Sequence, residues 1–188
     1  ELTQIELPFD GDTVNVWLLS DSGHTIMIDC GNRAKDLEPH LPLGPFDLFI
    51  THPHRDHLGG LDRCRPLAKR IYAPSELGQT QQVSAGQTIQ SGSWNVQVIA
   101  LPGHHPEAVG YRIRKAHFDV FAVGDAIYAR SIGGCAGASS YRDARDSLVS
   151  AWQHLTAGTL ILPGHGPATK TSIELKENPF LRAWVGKN

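Results

Sequence analysis

The stretch Thr51-His52-Pro53-His54-Arg55-Asp56-His57-Leu58-Gly59-Gly60 constrains this chain more than any other. It sets three imidazoles and a carboxylate within six positions, directly after the apolar run Asp47-Leu48-Phe49-Ile50. Such a run reads as a buried strand, so the fold must present a turn at a strand end that carries four potential ligands. In that turn alternate residues point to one side, which pairs His52 with His54 and leaves Asp56 and His57 free to face another direction. The geometry suits two metal ions sharing one loop. Imidazole nitrogen and carboxylate oxygen match zinc, iron or manganese, and no cysteine lies among them, so an open catalytic site follows more naturally than a closed thiolate one.

Three further candidates each end an apolar run: His104 in Leu101-Pro102-Gly103-His104, Asp125 in Val123-Gly124-Asp125, and His165 in Leu162-Pro163-Gly164-His165-Gly166. Strand ends place them on one rim, and a preceding glycine lets the backbone turn closely. Singly, His104 or His165 reads as a solvated loop histidine and Asp125 as a turn cap; only the ordered set overturns that reading. His24, His40, His105, His117 and His154 belong to no such set and are assigned to surface or ordinary packing. Asp29 is a candidate for orienting a ligand imidazole, and Cys30 reads as a small buried residue beneath the site. Tyr128, Arg130 and Ser131 follow Asp125 closely enough to be candidates for touching substrate.

Composition narrows the partners. Seventeen Lys+Arg against nineteen Asp+Glu, with no run of like charge, lack the footprint of a nucleic-acid or anionic-membrane binder. A small-molecule substrate is the expected partner, and the oligomeric state is left open. No apolar run approaches the roughly 20 residues of a membrane helix. The three cysteines are widely spaced with no C-x-x-C pair, so a reducing, cytoplasmic setting is expected, with a leader removed before residue 1 as the alternative.

Strands are expected over 14–19, 25–28, 47–51, 94–101, 110–113, 118–123 and 159–162. Helical spacing of Leu148, Val149, Trp152 and Leu155 predicts a helix opening near Ser140 to Asp143, and Thr171 with Glu174 makes a capping-box pattern for another, limited by Pro179. Residues 74–92, rich in Ser, Gln, Thr and Gly, read as connecting structure. Two strand-then-helix halves suggest an α/β sandwich with two packed sheets.

With these residues in view, the sequence resembles the metallo-β-lactamase-fold superfamily, whose H-x-H-x-D-H signature stands here as His52 to His57. Within it the chain looks most like the glyoxalase II group of hydroxyacyl-thioester hydrolases, where a Gly-Asp after an apolar strand supplies a bridging carboxylate and a Gly-His-Gly closes the set. Residues 124–125 and 164–166 match, and the likeness runs from Asn15 to Asn178-Pro179-Phe180. The resemblance implies a four-layer αββα sandwich of two mixed sheets flanked by helices, as one domain over 1–188. It also implies one metal on His52, His54 and His104, a second on Asp56, His57 and His165, and Asp125 as the bridge. Two divalent transition-metal ions are implied, zinc first, with iron or manganese as alternatives.

The implied activity is metal-dependent hydrolysis of acyl-thioesters by a hydroxide bridging the two metals, with Asp56 orienting it. Only 23 residues follow His165, so no separate C-terminal helical substrate domain is expected, and the segment from Ala126 to Cys135 lacks the Gly-Arg-Thr-Asp usual in that group. Two alternatives share the fold: a persulfide dioxygenase with one iron, whose members usually lack Gly-His-Gly, and a lactonase or β-lactamase-type hydrolase.

Overall fold

The computed structural model describes residues 1–186. β1 (Leu2–Phe9), β2 (Asp12–Asp21), β3 (His24–Ile28), β4 (Phe46–Phe49), β5 (Arg70–Ala73) and β6 (Gln81–Gln82) form one sheet in sequence order. α1 (Ala34–Leu37), followed by a 3-10 turn (Glu38–His40), connects β3 to β4; α2 (Arg55–Leu58) and α3 (Leu61–Cys64) lie between β4 and β5. The chain continues through β7 (Thr88–Ser91), β8 (Trp94–Ala100), β9 (Val109–Lys115) and β10 (Phe118–Gly124). A short hairpin of β11 (Ile127–Tyr128) and β12 (Ser131–Ile132) then leads to α4 (Ala138–Trp152), β13 (Leu160–Pro163), β14 (Thr169–Lys170), α5 (Thr171–Glu177) and α6 (Pro179–Trp184). The second sheet runs β14-β13-β10-β9-β8-β7.

Both sheets are mixed. β3 through β6 pair in parallel, as do β10 and β13, while the other neighbours are antiparallel. Parallel neighbours need crossovers, and α1, the α2–α3 pair and α4 supply them on the outer faces. Period-two alternation then fixes three cores. Between the sheets, Trp17, Ile26, Ile28 and Phe49 meet Val96, Tyr111, Val120 and Leu162. Outside the first sheet, Met27, Leu48 and Ile50 pack on Leu37, Leu61 and Cys64 of α1 and α3. Outside the second, Phe121, Val123 and Ile161 pack on Leu148, Ala151 and Trp152 of α4 and Leu181 of α6. Strands covered on both faces lose the polar alternation of a half-exposed sheet, which is why β4 and β10 read as near-continuous apolar runs. The result is the four-layer αββα order.

Several local expectations are corrected. Leu2–Phe9, absent from the expected strands, is β1, paired along its whole length with β2. Residues 74–92 are not all connection: β6 and β7 lie there, and Val83 and Ile89 are buried between the sheets. α4 opens at Ala138, where Ser140 Oγ accepts the Gly137 N–H, and Leu155 lies beyond its end but still packs on the outer core. Thr171 and Glu174 form no capping box. Thr171 is already helical, its hydroxyl donates to the Thr156 carbonyl, and Glu174 is fully buried and turned toward Thr169 and Asn178. Tertiary partners outbid the local reciprocal bond. Asn178 instead caps α6 by accepting from the Phe180 and Leu181 N–H groups.

One edge of the sandwich gathers the ends of β4, β10 and β13 and the loop after β8. Cross-sheet bonds hold that edge: Tyr111 Oη donates to the Ile50 carbonyl at 2.7 Å and Val109 N to Thr51 O at 3.0 Å. Trp17 Nε1 and Asn15 Nδ2 both donate to Pro163 O, at 2.9 and 3.0 Å.

Candidate metal centre

His52 follows β4 after two intervening residues and is 1% exposed; His54 stands at the N-terminal boundary of α2, and the first turn of α2 carries Asp56 and the fully buried His57. This one strand-to-helix turn therefore feeds two groups. His54 Nδ1 lies 3.1 Å from His52 Nε2 and 3.0 Å from His104 Nε2, which makes a three-imidazole cluster. Asp56, His57, Asp125 and His165 make a second: His165 Nε2 is 3.2 Å from Asp56 Oδ2, and His57 Nε2 is 3.3 Å from Asp125 Oδ1. Asp125 Oδ2 lies between the two groups, 3.4 Å from His165 Nε2 and 3.5 Å from His104 Nε2.

The outer nitrogens decide which inner ones carry lone pairs. His165 Nδ1 sits 2.6 Å from Thr13 O and His104 Nδ1 2.8 Å from Gly134 O, and a carbonyl can only accept. His57 Nδ1 is 2.7 Å from Asp29 Oδ2, a carboxylate that also accepts the Thr51 hydroxyl at 2.8 Å. With its proton spent on Asp29, Thr51 Oγ1 must accept from His52 Nδ1 at 3.0 Å. Four rings thus donate Nδ1–H outward and aim Nε2 inward, the nitrogen through which an imidazole held this way binds a metal.

Electrostatics separates the halves. Burial, together with the neighbouring imidazoles of His57, His54 and His104, pushes His52 down to about 2, so it stays neutral. Burial also lowers His57, but Asp29 and Asp125 outweigh it and bring it to about 10; Asp125 and Asp56 do the same for His165. Asp125 is held far below the usual carboxylate range because the imidazoles of His165 and His57 beside it overcome the burial that would raise it. The second group therefore concentrates negative charge that a cation matches. His57 Nε2 and Asp125 Oδ1 are buried without a hydrogen-bond partner, which is costly unless something else satisfies them. The donor set and these atoms together are able to hold metal ions.

Two glycines make room. A Cβ on Gly164 would lie 2.2 Å from Asp125 Oδ1 and 2.7 Å from His57 Cε1; one on Gly124, whose φ is +49°, would lie 2.5 Å from Thr51 Oγ1.

Comparison with known proteins bears on this arrangement. Residues 9–68 match the family model described as Metallo-beta-lactamase superfamily. Over 173 residues the chain is 36% identical to Uncharacterized protein Rv2581c of Mycobacterium tuberculosis (strain ATCC 25618 / H37Rv), covering 74% of this chain and 77% of that one. The chain belongs to the metallo-beta-lactamase superfamily. Another superfamily relative, Probable metallo-hydrolase YqgX of Bacillus subtilis (strain 168), is 24% identical over 95% of this chain and 97% of its own. Hydroxyacylglutathione hydrolase of Yersinia enterocolitica serotype O:8 / biotype 1B (strain NCTC 13174 / 8081) is 34% identical over 63% of this chain, a match spanning 49% of that relative's length. Among solved structures, BLEG-1 B3 metallo-beta-lactamase superposes with a TM-score of 0.79 at 23% identity, covering 96% of this chain and 99% of that one. ETHE1 from Myxococcus xanthus gives 0.76 at 24% identity, over 99% of this chain and 86% of that one. At such identities these two structures speak to the superfamily fold alone.

The other candidates divide. His105 belongs to neither group: its ring lies against His54, centroids 5.2 Å apart, but its Nδ1 accepts the Glu107 N–H, while its neighbour His104 brings Nε2 to His54. Tyr128 stands over His165, ring centroids 5.8 Å apart. Arg130 and Ser131 are not brought to the centre. Arg130 pairs with Glu177 at 2.7 Å, and the Ser131 carbonyl accepts from Asn178 Nδ2, so both tie the hairpin to α5 and α6. Residues that the sequence did not mark also serve the site: Thr51 through Asp29 and His52, and the carbonyls of Thr13 and Gly134 through His165 and His104. Thr51 adjoins the ligand motif and was within reach of sequence reasoning. The two carbonyls carry no side-chain signal.

Proposed function

We propose that this superfamily member is a dinuclear metallohydrolase acting on acyl-thioesters, with hydroxyacyl-glutathione as the first substrate to test. The observation that carries this reading is Asp125 Oδ2 facing His104 of one group and His165 of the other. His52, His54 and His104 would hold one cation and Asp56, His57 and His165 the second, with Asp125 shared; zinc fits this ligand chemistry, as do iron and manganese. Cations bound there supply a Lewis acid for a carbonyl oxygen and a water ionised near neutral pH.

The chain's own residues do the positioning. Asp29 and the two carbonyls hold Nδ1–H of His57, His104 and His165 outward, so each of these rings would ligate through Nε2, with a cation displacing the proton that the carboxylates favour on His57 and His165. The Asp56 carboxylate, at the first turn of α2, accepts a hydrogen bond from the attacking water and orients it. A thiolate leaves without a dedicated acid, because its conjugate thiol has a pKa of about 8.5, which favours thioesters over unactivated esters. The likeness to hydroxyacylglutathione hydrolase over half of that relative supports the same substrate class.

The test joins elemental analysis to a substrate screen. The expected outcome is about two transition-metal ions per chain and thiol release from hydroxyacyl-glutathione or simple thioesters in proportion to metal content. A single ion that excess zinc cannot raise, no thiol release, and oxygen consumption with glutathione persulfide would replace this reading with a one-iron dioxygenase. Hydrolysis of lactones or a chromogenic β-lactam in place of thioesters would move the substrate class.

A further inference from the structure

Two cavities flank the centre, with the β11–β12 hairpin between them. The smaller, about 440 Å³, includes His165 and Tyr128 in its wall together with Phe9, Asp10 and Asp12. The larger, about 600 Å³, is lined by Gly133, Gly134, Cys135, Tyr141, Arg142 and Phe180. It adjoins the three-imidazole group: Gly134 O accepts from His104 Nδ1, and a Cβ on Gly133 would come 3.3 Å from the His104 Cβ. A volume of this size is typical of small-molecule sites.

We propose that this larger cavity is a substrate subsite for a flat apolar group that ends in an anion such as a carboxylate. The proposal rests on the hydrolase reading in placing the reacting bond at the metal centre, and it adds which substituent lies on the His104 side. One argument is the wall. Tyr141 keeps 40% of its surface exposed although its ring packs 5.4 Å from Trp184 and 6.5 Å from Phe180, so a rigid aromatic face stands open beside the cavity. Aromatic faces of this kind recognise flat apolar groups with little loss of side-chain entropy. The glycines of the lining leave it open, since a Cβ on Gly134 or Gly137 would meet nothing within 4 Å.

Charge supplies the second argument. Arg142 is the single charged side chain of the lining, and among the described residues it makes no ion pair, whereas Arg130 and Arg145 nearby are matched by Glu177 and Asp146. The smaller cavity carries Asp10 and Asp12 instead. An anionic substituent is thus attracted on one side of the centre and repelled on the other, which orients an asymmetric substrate.

Calorimetric titration with 4-phenylbutyrate and with its neutral amide tests this, on zinc-loaded and on chelator-stripped protein. The carboxylate should bind roughly fivefold tighter than the amide in both states, the scale of a partly solvated ion pair. Arg142→Gln should abolish that preference and leave amide binding unchanged. Gly137→Leu, at an extended backbone position with open space beyond it, should weaken both probes by narrowing the cavity. Equal binding of acid and amide, a preference that survives Arg142→Gln, a preference seen only with zinc present, or no binding at about 10 mM would each overturn the assignment. None of these readouts needs turnover. A protein that hydrolyses no thioester yet keeps the Arg142-dependent preference refutes the hydrolase reading alone; thioester hydrolysis without that preference refutes the subsite alone.

Discussion

At the scale of single residues, Asp29 does as much for the centre as a ligand would. Held at φ +57°, it accepts the Thr51 N–H, the Thr51 hydroxyl and His57 Nδ1–H at once. Asp29→Asn cannot do so. Whichever way the amide turns, its NH2 meets either the Thr51 N–H or the His57 nitrogen, and the second case drives the ring proton onto the inward Nε2. Zinc affinity, measured by chelator competition, should fall about 10–100-fold, and an unchanged affinity would refute the orienting role. Asp125→Ala removes the carboxylate shared between the groups, so metal content and turnover should fall together, turnover by at least about a hundredfold. His105→Ala should do neither, because its ring bonds Glu107; loss of metal in that variant with His104→Ala intact would show that the wrong neighbour faces the site.

At the scale of elements, buried polar contacts add to apolar packing in holding the hairpin, whose Ile127 and Ile132 belong to the outer core. Glu174 of α5 is fully buried and accepts from Thr169 Oγ1, Arg130 N and Asn178 Nδ2 at 2.7, 2.9 and 2.9 Å, joining β14, the β11–β12 hairpin and the cap of α6. Glu174→Ala leaves three donors without that acceptor. It should lower stability by about 2–3 kcal/mol, read as a drop in the urea midpoint, and a change within about 0.5 kcal/mol would show that the network is solvated or redundant. Sequence reasoning saw Glu174 as a local cap because three-residue spacing is visible in one dimension. Its true partners lie on other elements.

At the scale of the whole molecule, the centre joins four separate pieces of backbone: the turn after β4, the loop after β8, and the ends of β10 and β13. Cations bound there would tie the two sheets at one edge, so removing them with a chelator should lower the melting temperature. With free zinc a thousandfold above its dissociation constant the linkage is about 4 kcal/mol, or about 10 °C for a chain of this length. Identical melting with and without zinc would count against a structural tie. Acid stability should depend on Asp119, which receives two bonds from Arg112, at 2.9 and 2.8 Å, and one from Thr159 at 2.7 Å. Burial pushes its carboxyl up, but these partners outweigh it and hold it below the usual range. A carboxylate depressed in the folded state contributes stability that is present above its unfolded pKa of about 3.9 and is lost as pH falls through the folded value. Asp119→Asn should therefore be less stable than the parent at neutral pH and show a shallower decline below about pH 4. Parallel acid limbs for the two proteins would exclude this pair as a source of the pH dependence.

What the sequence determined by itself was whatever short-range pattern encodes. The apolar runs that became β4, β10 and β13 are legible because strands buried on both faces need continuous apolar side chains, and the glycines beside Asp125 and His165 are legible because ligands at strand ends need close turns. The order of His52, His54, Asp56, His57, His104, Asp125 and His165 is likewise written along the chain. Tertiary structure alone decided what depends on distant partners. β1 carries a weak pattern and exists because β2 pairs with it along its length; the tautomers of His104 and His165 are set by carbonyls 30 and 152 residues away. Tyr128 reaches the centre while Arg130 and Ser131 do not, although all three lie within six positions of Asp125. The reason is that a hairpin turns its residues in opposite directions, and which direction meets the site is settled only when α5 and α6 dock against it.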